Sequence, residues 1–205
     1  MSVTAMVQGL VLGAGMIIPL GVQNSYVLSQ GIKRNHHFLT ATICMVCDVL
    51  LIALGVFGGG QLIASNEILL LLIGWGGIAF LLTYGFLALR NVYQNQYVRP
   101  EQRKALSSRK AVVGTTLAVT LLNPHVYLDT VMILGSVGGT FVGNERIAFA
   151  VGTMVASVIW FYSLAGGAAK LAPWLGQPKV QRVIDLLIAM IMFAVAYTVF
   201  NSMLA

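Results

Sequence analysis

Two aspartates sit in stretches where an apolar sequence should have none. Asp48 falls about ten residues into one greasy segment, and Asp129 near the middle of another, "TLLNPHVYLDTVMIL" (residues 120–134). A carboxylate at the centre of a membrane span costs roughly 2.5–3.5 kcal/mol on insertion scales, and its default reading is functional. The second segment also holds Asn123 and Pro124. Proline inside a helix removes a hydrogen bond and clashes with the preceding turn. Asparagine is among the best N-cap residues, and proline is favoured at the first helical position. Asn123-Pro124 therefore reads as a helix start about twelve residues into a span. Pro19 and Gly21 mark a similar break about fifteen residues into the first apolar stretch.

A half-helix N-terminus carries partial positive charge and unpaired N–H groups, which suit a carboxylate. Asp129 lies five residues beyond Pro124, about 7.5 Å along a helix axis. Anion-favouring helix ends beside one or two carboxylates fit a zwitterion with a cationic tail, such as arginine or lysine. His125 follows the break and either orients the pocket or satisfies local backbone. A blander account stays open, in which the breaks serve packing and the two aspartates accept from freed backbone N–H groups. Asp185, three residues from Arg182, reads as half of a surface ion pair. Cys44 and Cys47 lie inside a span, away from the helix N-terminus that activates a redox thiol, and read as small packing residues. His36 and His37 are adjacent and point apart, so no metal site is expected. No glycine-rich phosphate loop occurs, so ATP hydrolysis is not expected, nor any cofactor or enzymatic activity.

The elements that must position these residues are long apolar helices. Of the 205 residues, 58% are hydrophobic and only 9% charged, against about 25% charged in an ordinary soluble domain. A span needs about 20 apolar residues, and six stretches qualify, roughly 4–30, 38–62, 67–89, 111–140, 146–172 and 182–203. The expected fold is an all-α integral membrane protein forming one transporter domain over 1–205. The first stretch lacks a cationic n-region and a cleavage site, so it reads as a retained span. Two cysteines cannot build a disulfide framework.

Charge placement gives the orientation. Lys33 and Arg34 follow the first stretch; Arg90, Arg99, Arg103, Lys104, Arg109 and Lys110 follow the third; Lys170, Lys179 and Arg182 flank the link after the fifth. Only Arg146 of the twelve Lys and Arg falls on the other side. Cytoplasmic loops collect such residues, so links one, three and five read as cytoplasmic and both termini as external. The basic 90–110 link reads as an anchor on anionic lipid rather than a nucleic-acid patch. Small-residue spacing at Gly9/Gly13, Gly55/Gly59 and Gly135/Gly139 fits close helix packing, within one chain or between the two copies of a homodimer.

The halves repeat. Aligning Pro19 with Pro124 matches Asn24 with Asp129, each five positions later, and Phe-x-x-x-Tyr recurs in "FLLTYGF" (80–86) and "FAVAYTVF" (193–200). Three spans per half invert the second half relative to the first: repeat one covers about 1–90 and repeat two about 111–205, with helices 1 and 4 broken at Pro19 and Asn123-Pro124. Many secondary transporters are built from inverted repeats with broken helices and midplane sites.

These motifs carry a resemblance. "PLGVQN" in the first span, an aspartate in the middle of the second, "WGGIAFLLTYG" in the third and "LLNPHVYLDT" in the fourth resemble the LysE family of bacterial basic amino-acid exporters, most closely its arginine-exporting branch. The family often shows a second proline in the first motif, where this chain has Val22. The resemblance implies inner-membrane export of L-arginine, with lysine and canavanine as further substrates, driven by the proton motive force. It assigns substrate contacts to Gln23, Asn24, Asp48, Asn123, His125, Tyr127 and Asp129, and proton coupling to Asp48 and Asp129. A neutral amino-acid exporter, a transmembrane thiol carrier and a purely structural membrane subunit are the alternatives.

Overall fold

The computed structural model describes residues 2–19, 21–58, 67–94, 108–123 and 126–204. Among the described residues all regular structure is helical. Helices α1 (Val3–Ile17) and α2 (Val22–Lys33) lead into α3 (His37–Val56) and α4 (Glu67–Gln94). The second half holds α5 (Arg109–Leu121), a π-helical stretch (Tyr127–Ile133) running on into α6 (Leu134–Gly139), then α7 (Asn144–Lys170), the single turn α8 (Ala172–Leu175) and α9 (Pro178–Leu204). Serines start two of them: Ser2 Oγ accepts from the Ala5 N–H at 3.4 Å, and Ser108 Oγ from the Ala111 N–H at 3.3 Å. Helix α3 ends at Val56 in a turn with Gly58 at φ 97°, and residues 59–62 of the apolar stretch 38–62 lie outside the described residues. Gly59, Arg99, Arg103, Lys104, Pro124 and His125 lie outside the described residues.

Among the described residues, α3, α7 and Pro178–Asn201 of α9 are each long and apolar enough to cross a bilayer. Helices α1 and α2 qualify as a pair bent by 78°. Their packing decides how that pair runs. Gly9 abuts the Phe149 backbone and Gly13 the Thr153 side chain, while Gly31 sits against Ala165 and Ala168. The numbers rise together, so α1 follows the first half of α7 and α2 follows its second half in the same direction. That order is the one a bent, broken span would show.

The second break is arranged likewise along α3. Thr120 meets Cys44 at 3.8 Å, Val126 packs on Leu51, and Gly55 faces Val131 and Gly135. Helices α3 and α7 cross antiparallel, with Thr42 and Tyr162 hydroxyls 2.7 Å apart and Ser157 bonded to Asp48 at 3.1 Å. Helices α4 and α9 form a separate antiparallel pair, joined by Phe86 on Phe193 and Trp75 on Phe200. Large apolar side chains such as Leu72, Phe86 and Met190 are exposed on this pair, as a lipid-facing surface requires. Arg34 Nε donates to the Ala169 carbonyl at 3.0 Å, which brings the first and fifth links to one end. Arg146 donates instead to the Gly139 and Phe141 carbonyls, at 3.0 and 3.1 Å.

Of the expected glycine pairs, Gly9 and Gly13 both meet α7, and Gly135 meets Gly55. Gly139 does not pack: a Cβ there would find nothing within 4 Å, because Gly138 is the residue turned to Val56. On the α1–α7 seam a Cβ at Gly152 would overlap the Met6 carbonyl oxygen, a backbone atom that cannot step aside. Overpacking of this kind costs about 1–3 kcal/mol. Gly152→Val should therefore lower the thermal midpoint of the detergent-solubilised protein, whereas Gly15→Val, which meets nothing within 4 Å, should leave it unchanged. Melting followed by size-exclusion chromatography checks both.

Candidate functional site

A helix that stops inside a bilayer leaves carbonyls with no water to bond, and irregular backbone survives there only where protein or a wet cavity satisfies it. Helix α1 stops at Ile17 and α2 begins after Gly21, whose backbone is extended. The Asn24 side chain closes the gap. Its Nδ2 donates to the carbonyls of Ile17 and Pro19, both at 2.7 Å, and its Oδ1 accepts from Trp160 Nε1 at 3.1 Å. An amide nitrogen has two donors, so both are committed. Asn24 thus ties both sides of the break to α7.

Past this bracket the chain lines a cavity of about 190 Å³. From the first break come Met16, Pro19, Gln23 and Asn24; Asn123, Asp129 and Thr130 come from the second, Asp48 from α3 and Val195 from α9. Drug-sized ligands occupy about 300–1,000 Å³, so this space suits a smaller molecule. The N-terminus of α2 opens on it through Gly21, Val22 and Gln23, presenting the positive end of a helix dipole. Asp48 is 2% exposed and accepts from two neutral donors, Gln23 Nε2 at 3.3 Å and Ser157 Oγ at 3.1 Å.

The second break differs in form. Helix α5 ends at Leu121, and Asn123 is buried and non-helical. Backbone then re-enters as a π-helix in which the Leu134 N–H bonds to the Asp129 carbonyl, five residues back. Such wide turns recur at functional sites. Val126, Asp129 and Thr130 face the cavity from it. Tyr127 is not among the lining residues: its hydroxyl donates to the Leu121 carbonyl at 2.8 Å, closing the end of α5 as Asn24 closes α1.

The LysE type translocator profile matches residues 14–202 of the chain. The chain belongs to that family. It is 52% identical over 189 residues to the "Putative amino-acid transporter YggA" of Aeromonas salmonicida, covering 92% of each chain. It is 47% identical over 189 residues to the "Arginine exporter protein ArgO" of Pectobacterium carotovorum subsp. carotovorum (strain PC1), covering 92% of this chain and 93% of that one. A protein of the same name from Yersinia enterocolitica is 47% identical over 190 residues, with 93% of each chain covered. No solved structure matches the chain. As a LysE type translocator the chain is a transporter rather than an enzyme, and its apolar helices are those of a membrane protein.

The residues singled out in the sequence of this translocator divide three ways. Gln23, Asn24, Asp48, Asn123, Asp129, Pro19 and Gly21 meet at one cavity; Tyr127 turns to backbone; Pro124 and His125 lie outside the described residues. Cys44 and Cys47 are both free and buried, Cys44 among Val27, Ala41 and Phe161. Sequence reasoning missed Ser157 and Trp160 on α7. A polar serine inside an apolar helix was the available signal for the first, and a tryptophan away from any span end for the second.

The bracket sets a stability test. An orphaned buried carbonyl costs about 1–3 kcal/mol, so Asn24→Ala should destabilise the fold by at least that amount. Asn24→Asp, close in shape but with no donor when ionised and only one when protonated, should also melt below the parent. Thermal melts of both purified variants against the parent decide it, and a parent-like Asn24→Asp midpoint would remove the bracket's donor role.

Proposed function

We propose that this protein exports L-arginine across the bacterial inner membrane, with lysine and canavanine as further substrates, in exchange for protons. One observation carries this reading: Asp48 and Asp129, from opposite halves of the chain, line one cavity bounded by both helix breaks. Relatives named as arginine exporters, similar over nearly the whole chain, support the choice of substrate. The cavity supplies a positive helix end for an α-carboxylate and two carboxylates for an amine and a guanidinium.

The frame is read as two inverted repeats of three spans. Support comes from the packing, in which the broken span of each half follows the middle helix of the other half and the two middle helices cross at Asp48 and Ser157. Links one, three and five are assigned to the cytoplasm and both termini to the periplasm, on the weight of Lys and Arg at one end.

Expelling a cation against an inside-negative potential costs ~2.3 kcal/mol per charge per 100 mV. An incoming proton cancels that electrical cost. Proton and guanidinium compete for the same carboxylates, so neither can be carried by an aspartate that still holds the other. Binding one and releasing the other on opposite sides of the membrane yields antiport. Gln23 keeps Asp48 oriented toward the cavity while it waits for either partner.

Cells loaded with labelled arginine provide the test. Asp48→Asn and Asp129→Asn should each cut efflux by about tenfold or more at unchanged protein levels in the membrane. Wild-type efflux from both variants would reject these roles. A protonophore should slow arginine efflux by the parent, and equal export of threonine would move the assignment to neutral amino acids.

A further inference from the structure

Helix α2 is enclosed on nearly every side, yet it is not apolar. Gln23, Ser25, Ser29 and Gln30 are all buried, and the Ser25 Oγ and Gln30 Oε1 atoms have no hydrogen-bond partner among the described residues. A buried polar group without a partner costs free energy, and in a membrane domain such groups mark substrate or ion pathways. Gln30 lies seven residues beyond Gln23, about 10.5 Å farther along the helix.

Around Gln30 a second polar cluster gathers from four helices. The Tyr26 hydroxyl is within reach of Thr115, Thr116 and Gln30. Tyr84 of α4 packs on Tyr26 edge to face, with ring centroids 6.1 Å apart, and Asp185 of α9 acts electrostatically on Tyr84. Asp185 is ten residues before Val195, which lines the central cavity, so it sits about 15 Å from it along α9. All four helices reach their basic ends nearby: Lys33 closes α2, Arg90 falls in the last turns of α4, Arg109 opens α5, and Arg182 falls in the first turns of α9.

We propose that Tyr26, Gln30, Tyr84, Thr115, Thr116 and Asp185 form a cytoplasmic entry station, shut in this structure, that receives the substrate's cationic group before it reaches Asp48 and Asp129. The inference rests on the arginine-export reading for its ligand and on the topology assigned with it for its side of the membrane. Two tyrosine rings offer faces to a guanidinium, Asp185 offers the charge, and Gln30 and the threonines offer neutral oxygens. Tyr26 is 4% exposed and Thr116 fully buried, so the station must part from its neighbours for a ligand to pass. That parting would also hydrate the unpartnered atoms of Ser25 and Gln30.

Two measurements test it. In inside-out membrane vesicles, Gln30→Cys should react with a membrane-impermeant cationic thiosulfonate above the background of the parent chain, and millimolar arginine should slow the reaction. In efflux assays, Asp185→Asn should raise the internal arginine concentration for half-maximal rate about tenfold, equivalent to ~1.4 kcal/mol, with the maximal rate within twofold. An unlabelled Gln30→Cys that is inserted and active overturns the proposal. So does a parent-like half-saturation in Asp185→Asn, which also decides the matter if Gln30→Cys fails to insert. Labelling without protection by arginine would keep the route and reject arginine as its ligand.

Discussion

Polar backbone must be satisfied from within the protein wherever water is absent, and this requirement governs where the chain can break. Asn24 and Tyr127 meet it from opposite halves, each sending side-chain donors to the last carbonyls of a stopped helix. Each unsatisfied group in hydrocarbon would cost several kcal/mol, far more than one hydrogen bond usually contributes. Only once those ends are sealed can the interrupted spans leave space between them. The cavity is therefore a by-product of how the breaks are closed, and Asp48 and Asp129 occupy space that the closure creates. Enclosure also explains why α2 can be polar: α3, α5, α7 and α9 surround it, so lipid never meets its glutamines and serines.

Read as two repeats, the halves differ in their chemistry. Aligned on Pro19 and Pro124, Asn24 matches Asp129; both line the cavity, and Asn24 also braces a break. The middle helices meet through Asp48 and Ser157, a carboxylate from one and a hydroxyl from the other. Each half thus contributes one carboxylate to the cavity, at unlike positions.

Much of this was legible in the sequence. Apolar length located α3, α7 and α9, local backbone chemistry located the break at Pro19, and the oddity of a charge in a greasy segment drew attention to Asp48 and Asp129, which line one cavity. What the sequence concealed depends on side-chain direction after a break. Asn24 looked like a ligand contact because its type suits one, but its partner Trp160 lies 136 residues away. Tyr127 was assigned to the substrate with its motif, yet the π-helical stretch turns it to the Leu121 carbonyl. Periodicity cannot foretell that wide turn, since one extra residue per turn leaves the apolar pattern almost unchanged. Gly139 failed as a packing residue for a similar reason: adjacent glycines share composition, and only the register of α6 against Val56 selects Gly138.

The glycine contacts fix which pieces can travel together. Helix α1 is locked on α7 through Gly9 and Gly152, and the π-helical stretch on α3 through Gly55, so each half of the chain clasps the other. Rocking one half against the other would tear both clasps apart. The joint between this interlocked bundle and the α4–α9 arm is packed instead through larger apolar side chains such as Leu81, Ile188 and Met192. Tyr26 lies on one bank of that joint, and Tyr84 and Asp185 on the other.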